Sequence, residues 1–394
     1  MITVEEAKAK VEGQIKVLEI EERRLSKAFG YVLAKDLKSK TDIPGFPQSA
    51  MDGYAVEVDE TIEKGTKFKV VGELQAGDTE MLPLGQGEAL RIFTGAPAPE
   101  NANTIIIQEV VDRQGDTIEV RKTTEPGINL RARGEQIRKG EIGLSKGTEL
   151  TPAAIGFAAM MGHDTVRGYR KPEIHLLVTG NELVEPGKSL QFGQIYESNA
   201  IALSAAIRKY FELEVHVHKV KDSYGETLES LKNILTQADL VMASGGISVG
   251  DYDFVGKALH ELGVEEIFYK VKQKPGKPLF FGLVKGTPVM ALPGNPASAL
   301  TGFYQYVLPS IRKMVGAGFR GLREEQRVLK NDFHKRGTRA MFLKAFANEK
   351  EVEILEGQSS AMMHTYAISN ALVYIPWDKE FSKAGEEVVV YFLD

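Results

Sequence analysis

The segment Ser244-Gly245-Gly246-Ile247-Ser248-Val249-Gly250-Asp251-Tyr252-Asp253 carries the strongest local chemical signal in the chain. It lies between a buried apolar run and an amphipathic stretch, which predicts a strand, a glycine loop and then a helix. Glycines in such a loop let backbone N–H groups approach an anion, and Gly245, Gly246, Ser248 and Gly250 are the candidate cradle. A mere tight turn, with Asp251 or Asp253 as helix cap, has the same composition. Two carboxylates beside a phosphate repel it unless a hard cation such as Mg²⁺ sits between them, so the favoured reading is a metal-bridged phosphate.

Downstream, Lys270, Lys272, Lys274 and Lys277 place four cations within eight residues, with no acid among them. Lys274-Pro275-Gly276-Lys277-Pro278 sets two of these on a stiff turn, because each proline fixes its own φ and restricts the residue before it. Such lysines suit a phosphate or another oxyanion, and a solvated charge run is the plainer alternative. In Leu292-Pro293-Gly294-Asn295-Pro296-Ala297-Ser298, the residues Pro293, Gly294 and Asn295 either offer further backbone donors or only connect a strand to a helix. Glu182 and Asp222 each follow an apolar run, and with Asp251 and Asp253 they form one acidic rim if those runs are neighbouring strands. Each taken singly is more often a cap or a turn residue. His216 and His218, two apart, share a strand face and could ligate a transition metal, although no cysteine and no third clustered histidine accompanies them. There is no G-x-S-x-G elbow and no Walker A sequence.

These residues need elements to hold them. The 394 residues exceed one ordinary core, so two or three domains are expected. The stretch 4–34 has apolar residues near helical spacing and reads as amphipathic helix. From 41 to about 121 short β-type runs alternate with Gly and Pro, and helix returns after Thr151-Pro152, a cap followed by a first-turn proline. Residues 1–168 therefore form a helical region with a β subdomain inserted at about 45–140. Residues 169–318 repeat strand, glycine turn and helix, which predicts a doubly wound, mostly parallel α/β domain. Residues 322–394 return to short alternating strands and read as a small β barrel.

Composition narrows the chemistry. With no cysteine there is no thiolate nucleophile and no protein sulfur ligand for a soft metal, so any sulfur chemistry must ride on the substrate. The net charge of −5 argues against a general nucleic-acid binder. No run approaches the roughly 18 apolar residues of a membrane span, and the start of the chain lacks a signal-peptide pattern, so a cytoplasmic protein is expected.

Taken in order, Ser49 to Ala55, Thr94-Gly95-Ala96, Arg133-Gly134-Glu135, Thr179-Gly180-Asn181-Glu182-Leu183, Ser244 to Asp253, Lys274 to Pro278, Leu292 to Ser298 and Gln358-Ser359-Ser360-Ala361-Met362 resemble the MoeA family of molybdopterin molybdenumtransferases. Gephyrin-type E domains share this pattern, and the resemblance runs from near Val4 to the C-terminus. It implies insertion of molybdate into the dithiolene of adenylylated molybdopterin, with AMP released and Mg²⁺ in support. It also implies a homodimer in which Asp52 and Thr94 come from the second subunit, whereas Glu182, Asp222, Asp253, Lys274, Lys277 and Ser360 line the α/β domain and its neighbour. On that basis Glu182, Asp222 and Asp253 are the metal candidates, Lys274 and Lys277 hold molybdate or phosphate, and a molybdopterin adenylyltransferase is the upstream donor. Many relatives carry Asp where this chain has Gln136 and Asn181, so these positions either stand behind the direct metal ligands or mark an altered metal or oxyanion preference, which leaves tungstate in place of molybdate open.

Two other readings compete. The region 171–316 also resembles the whole of a molybdopterin adenylyltransferase, whose loop usually reads Gly-Gly-Thr-Gly rather than Gly245-Gly246-Ile247-Ser248, and which lacks the β insert and the barrel. A non-catalytic carrier or scaffold for the pterin nucleotide needs the cradle but not the acidic rim.

Overall fold

The structure, a computed structural model, describes residues 1–79, 82–247 and 254–393. The chain divides into two compact units. One comprises Glu22–Phe29 and Lys35–Arg167, the other Met1–Glu21, Gly30–Ala34 and Gly168–Asp394.

The first unit is built on a six-stranded sheet whose members run from Gly53–Val56 to Thr117–Val120. Along Gly53–Val56 the side chains alternate as strand geometry requires: Tyr54 and Val56 pack with Phe68, Ile106 and Ile118, and Ala55 packs on the other face with Leu90, Ile92 and Ile105. Gly53 pairs with both Ile92 and Ile107, and a Cβ there would stand 2.1 Å from the Ile106 carbonyl oxygen. Only glycine allows that close pairing. The helix Pro152–Met160 starts as expected, with the Thr151 hydroxyl accepting from the Ala154 N–H, and the chain turns at Gly162 with φ +88°.

In the second unit the strands that form or adjoin the main sheet are β1 (Ile174–Thr179), β2 (Val215–Val220), β3 (Leu240–Ser244), β4 (Glu265–Tyr269), β5 (Gln273–Lys274), β6 (Phe280–Val284) and β7 (Thr287–Leu292). The main sheet has the order β2-β1-β3-β7-β6-β4, with the first three pairings parallel and the last two antiparallel, so only β6 runs against the others. Helices α1 (Asn199–Phe211), α2 (Tyr224–Ile234), α3 (Phe254–Glu261), α4 (Pro296–Gly302) and α5 (Leu308–Met314) belong to the same region. Leu176 faces a core with Leu203, Ile207 and Phe303, while Leu177 faces another with Leu231 and Leu259. Both faces are therefore covered, as a doubly wound sheet demands.

Five further strands, β8 (Arg323–Leu329), β9 (Ala340–Ala347), β10 (Glu351–Ile354), β11 (Ala371–Ile375) and β12 (Glu387–Phe392), pair in the order β9-β10-β8-β12-β11. The pairing of β11 back onto β9 closes them into a small barrel around Leu343, Ala345, Val373 and Val390. The short strand β5 adds to β9 outside this ring, Gln273 opposite Ala340 and Lys274 opposite Met341.

The single helix expected over 4–34 is shorter. It spans Val4–Gln14 with a Thr3/Glu6 capping box, and Val4, Ala7 and Val11 enter the core of the second unit. The helix ends at Ile15, whose backbone is extended, and Ile20–Arg24 is a strand of alternating exposure. Apolar spacing alone did not separate these elements, because Ile15, Val17 and Ile20 are β-branched and fit a pleated surface better than a helix. No helix among the described residues is long and apolar enough to cross a membrane.

His216 and His218 do share one face of β2, and β1 brings His175 beside them. The His175 ring stacks 4.7 Å from His216 and 5.2 Å from His218, and its Nδ1 lies 3.0 Å from His218 Nε2. His216 meets the Glu173 carboxylate at 3.1 Å. Among the described residues no group of three His, Cys, Asp or Glu side chains is placed to hold a metal ion. Burial, then the neighbouring histidines, push His175 below the usual histidine range, with Glu173 and Asp239 opposing; His218 is lowered by burial and by His216.

Gly53→Ala is expected to destabilise the protein by about 2–4 kcal/mol, measured by denaturant unfolding. Because His175 and His218 titrate lower folded than unfolded, the unfolded chain takes up protons first. Their stabilising contribution is present above about pH 6.5 and is lost as pH falls through the lowered folded values. Melting curves between about pH 7 and pH 5 should show this loss, and a His175→Asn, His218→Asn double variant should flatten it.

Candidate functional site

Strand register assembles the site. Val178 is opposite Ser244, Ser244 is opposite Leu292, and Thr179 is opposite Val220. The four parallel strands thus end on one line, and the loops that follow them share one rim. The chain leaves β1 toward β2 on one side and β3 lies on the other, so the order reverses there, which is where a doubly wound sheet opens a ligand crevice.

That crevice has a volume of about 750 Å³ and includes Glu182, Asp222, Gly245, Gly246, Gly294 and Asn295 in its lining. Its lining also includes Pro293. Gly245 and Gly246 have φ +91° and +61°, and Cβ atoms there would lie 2.7 Å from the Thr179 carbonyl oxygen and 2.8 Å from Val255 Cγ2. The loop therefore passes too close to β1 and α3 for any other residue. Ser248, Gly250, Asp251 and Asp253 lie outside the described residues. Asp222 is held by reciprocal bonds at 3.1 Å: its carboxylate accepts the Asn181 N–H, and its own N–H donates to Asn181 Oδ1.

A second hollow, about 600 Å³, opens where β5 meets the barrel. Its wall includes Lys274, Lys277, Arg339, Ser298 and Ser360. Neither Lys274 nor Lys277 pairs with a carboxylate among the described residues. Buried Gln273 shapes the lysine turn, donating to the Gly276 carbonyl at 3.2 Å and accepting from Tyr306 at 2.6 Å. Ser360 joins the barrel to the loop after β7: its carbonyl accepts from Ala297 and its hydroxyl from Asn295 Nδ2, both at 3.1 Å. Lys335 steadies the Arg339 segment, with its ammonium on the carbonyls of Arg339, Pro376 and Trp377.

The two hollows share Pro278, Pro293 and Asn295. Among the described residues, the first is lined by Glu182, Glu197 and Asp222 with no lysine or arginine, and the second by three cations with no acid. An acidic and a basic compartment thus lie side by side. A larger hollow of about 920 Å³ beside α2 and α3 has a mostly apolar lining, and its Tyr224 hydroxyl is already bonded to Glu261. It touches the glycine loop only at Ile247, and its described lining includes none of the candidate acids, lysines or glycines.

In the other unit, Asp52 Oδ1 accepts both the Thr94 N–H and the Thr94 hydroxyl at 2.8 Å. Those two bonds hold the Asp52 carboxyl below the usual carboxylate range, with Arg91 adding a smaller effect. Arg133 is spent on Asp42 at 2.6 Å, so it serves the local structure.

Several contributors escaped the sequence reading. Asn199 reads as a helix-start residue, yet its buried Nδ2 donates to Ser244 Oγ and to the Gly294 carbonyl, both at 2.8 Å, tying the glycine loop to the Pro293–Asn295 turn. Its Oδ1 and the Thr179 hydroxyl are buried with no hydrogen-bond partner among the described residues. Arg339, in an ordinary Gly-Thr-Arg turn, carried no signal. For a hard cation the donors at the acidic rim, carboxylate and amide oxygens with neither sulfur nor imidazole, are of the right type.

The comparisons extend over nearly the whole chain. The model of the MoeA N-terminal region (domain I and II) matches residues 2–162, that of a probable molybdopterin binding domain matches 175–313, and that of the MoeA C-terminal region (domain IV) matches 326–393. Molybdopterin molybdenumtransferase of Haemophilus influenzae is 33% identical, with 99% of this chain and 98% of that protein covered. Molybdopterin molybdenumtransferase 2 of Mycobacterium tuberculosis is 34% identical, with 94% of each covered. The crystal structure of the molybdopterin biosynthesis MoeA protein of Pyrococcus horikoshii OT3 superposes with a TM-score of 0.83 at 28% identity, over 100% of both chains. Matches at both ends, outside the α/β region, are what a lone adenylyltransferase fold does not account for. The chain belongs to the MoeA family of molybdopterin molybdenumtransferases.

Proposed function

We propose that this chain inserts molybdate into the dithiolene of adenylylated molybdopterin and releases AMP. Molybdenum insertion follows from the family. The observation that carries the finer reading is the pair of adjoining compartments with a common wall at Pro278, Pro293 and Asn295. The phosphates of the pterin nucleotide lie against the glycine loop and the acidic rim, and the oxyanion enters the basic hollow. A cysteine-free protein has no thiolates to compete for the metal, so the substrate sulfurs are its soft ligands.

Lys274, Lys277 and Arg339 neutralise the oxyanion and orient it toward the shared wall. Glu182 and Asp222 would hold Mg²⁺, together with Asp253 by the family pattern; when bound it neutralises phosphate charge and polarises the phosphoanhydride. Asp222 is itself fixed by Asn181, so the amide that stands where relatives carry Asp keeps the loop in place, and tungstate remains the alternative oxyanion. The working form in this reading is a cytoplasmic homodimer, supplied by a molybdopterin adenylyltransferase, in which the bonded pair Asp52 and Thr94 reaches the partner's site.

Purified protein with adenylylated molybdopterin, Mg²⁺ and molybdate or tungstate should release AMP and retain metal on the pterin. Nucleotide binding without AMP release would instead identify a carrier. In the same assay Asp222→Ala should keep a cooperative melt and lose about 100-fold or more in turnover. Lys277→Ala should raise the KM for molybdate about tenfold while the KM for the pterin nucleotide stays within about twofold.

A further inference from the structure

Lys344 on β9 is 2% exposed. Burial pushes its ammonium below the usual lysine range, with no charged group contributing. Its ammonium instead donates to the carbonyls of Gly357, Ser359 and Met362, at 2.8, 3.1 and 3.2 Å. The backbone repeats the connection: the Lys344 N–H donates to Gln358 Oε1 at 3.0 Å, and Gln358 Nε2 donates to the Lys344 carbonyl at 2.8 Å and to the Leu355 carbonyl at 2.7 Å. Thr365 closes the loop from the helix Met363–Ile368, its hydroxyl on the carbonyls of Glu356 and Gly357.

A buried, unpaired ammonium is costly where a Met would fill much the same space, so the fold retains it for what it organises. In a trans peptide, a carbonyl aimed one way sends the next residue's N–H the other way. With the Gly357 and Ser359 carbonyls gathered on Lys344, the N–H groups of Gln358 and Ser360 face away from it. The N–H groups of Gln358, Ser359 and Ser360 make no hydrogen bond among the described residues, and all three residues line the basic hollow.

We propose that Lys344 is a positioning residue for oxyanion binding, gathering the carbonyls of the 357–362 loop so that its free N–H groups and the Ser360 hydroxyl are presented to the hollow. This rests on the reading of that hollow as the oxyanion compartment. The test uses the full chain in molybdate-dependent AMP release, titrating molybdate and adenylylated molybdopterin separately. Lys344→Met should raise the molybdate KM about tenfold, leave the pterin KM within about twofold and spare kcat at saturating molybdate. An unchanged molybdate KM, or equal losses in both substrates and kcat, would overturn the proposal. If Lys344→Met does not fold, Thr365→Val decides: a rise of about threefold in molybdate KM supports the loop's role, and no rise removes it. Lys277→Ala separates the two levels. If it leaves the molybdate KM unchanged, the oxyanion reading fails and the proposal with it; if it raises that KM and Lys344→Met does not, only the positioning role fails.

Discussion

Parallel pairing of β1 with β3 and of β3 with β7 in one register is the constraint on which the site depends. Val178, Ser244 and Leu292 end level, so three loops far apart in the chain emerge at a single rim. A slip of one residue in any of these strands would exchange its two faces between the cores of Leu176 and Leu177. The geometry of the crevice is thus enforced by hydrophobic burial on both faces of the sheet rather than by the polar residues that line it.

The second feature is separation of charge. Carboxylates occupy the rim beyond β1 and β2, and cations gather where β5 docks on the barrel, with two prolines and an asparagine between. Had the same side chains been intermixed, they would have formed internal ion pairs and been unavailable to a ligand, as Arg133 is on Asp42 and Arg170 is on Asp239. Rigid backbone maintains the separation: prolines at 275, 278, 293 and 296 restrict the loops, and buried polar groups at Gln273, Asn199 and Lys344 absorb carbonyls that would otherwise be unsatisfied.

Much of this was legible because period and punctuation are local. Apolar runs followed by glycine loops marked β1, β3 and β7, and Thr151-Pro152 marked the helix start. The N-terminal helix was overextended because apolar spacing at 15, 18, 25 and 28 fits helix and short strand alike. Asn199, Arg339 and Lys344 were not legible at all, since each is an ordinary residue type in an ordinary local context whose partners lie elsewhere in the chain.

The sequence by itself determined the doubly wound region, the β character of the C-terminal part, and which segments carry acids, lysines and glycine turns, because these follow from spacing and residue type within about ten positions. Tertiary structure alone decided that the sheet finishes in two antiparallel pairings, that β11 closes the barrel on β9, and that β5 leaves the α/β region to pair with it. It alone decided that His218 is spent on His175 and Thr94 on Asp52. The physical reason is common to all of these: pairing of strands and hydrogen bonding of side chains across long sequence separations depend on which buried surfaces meet, and no local pattern encodes that meeting.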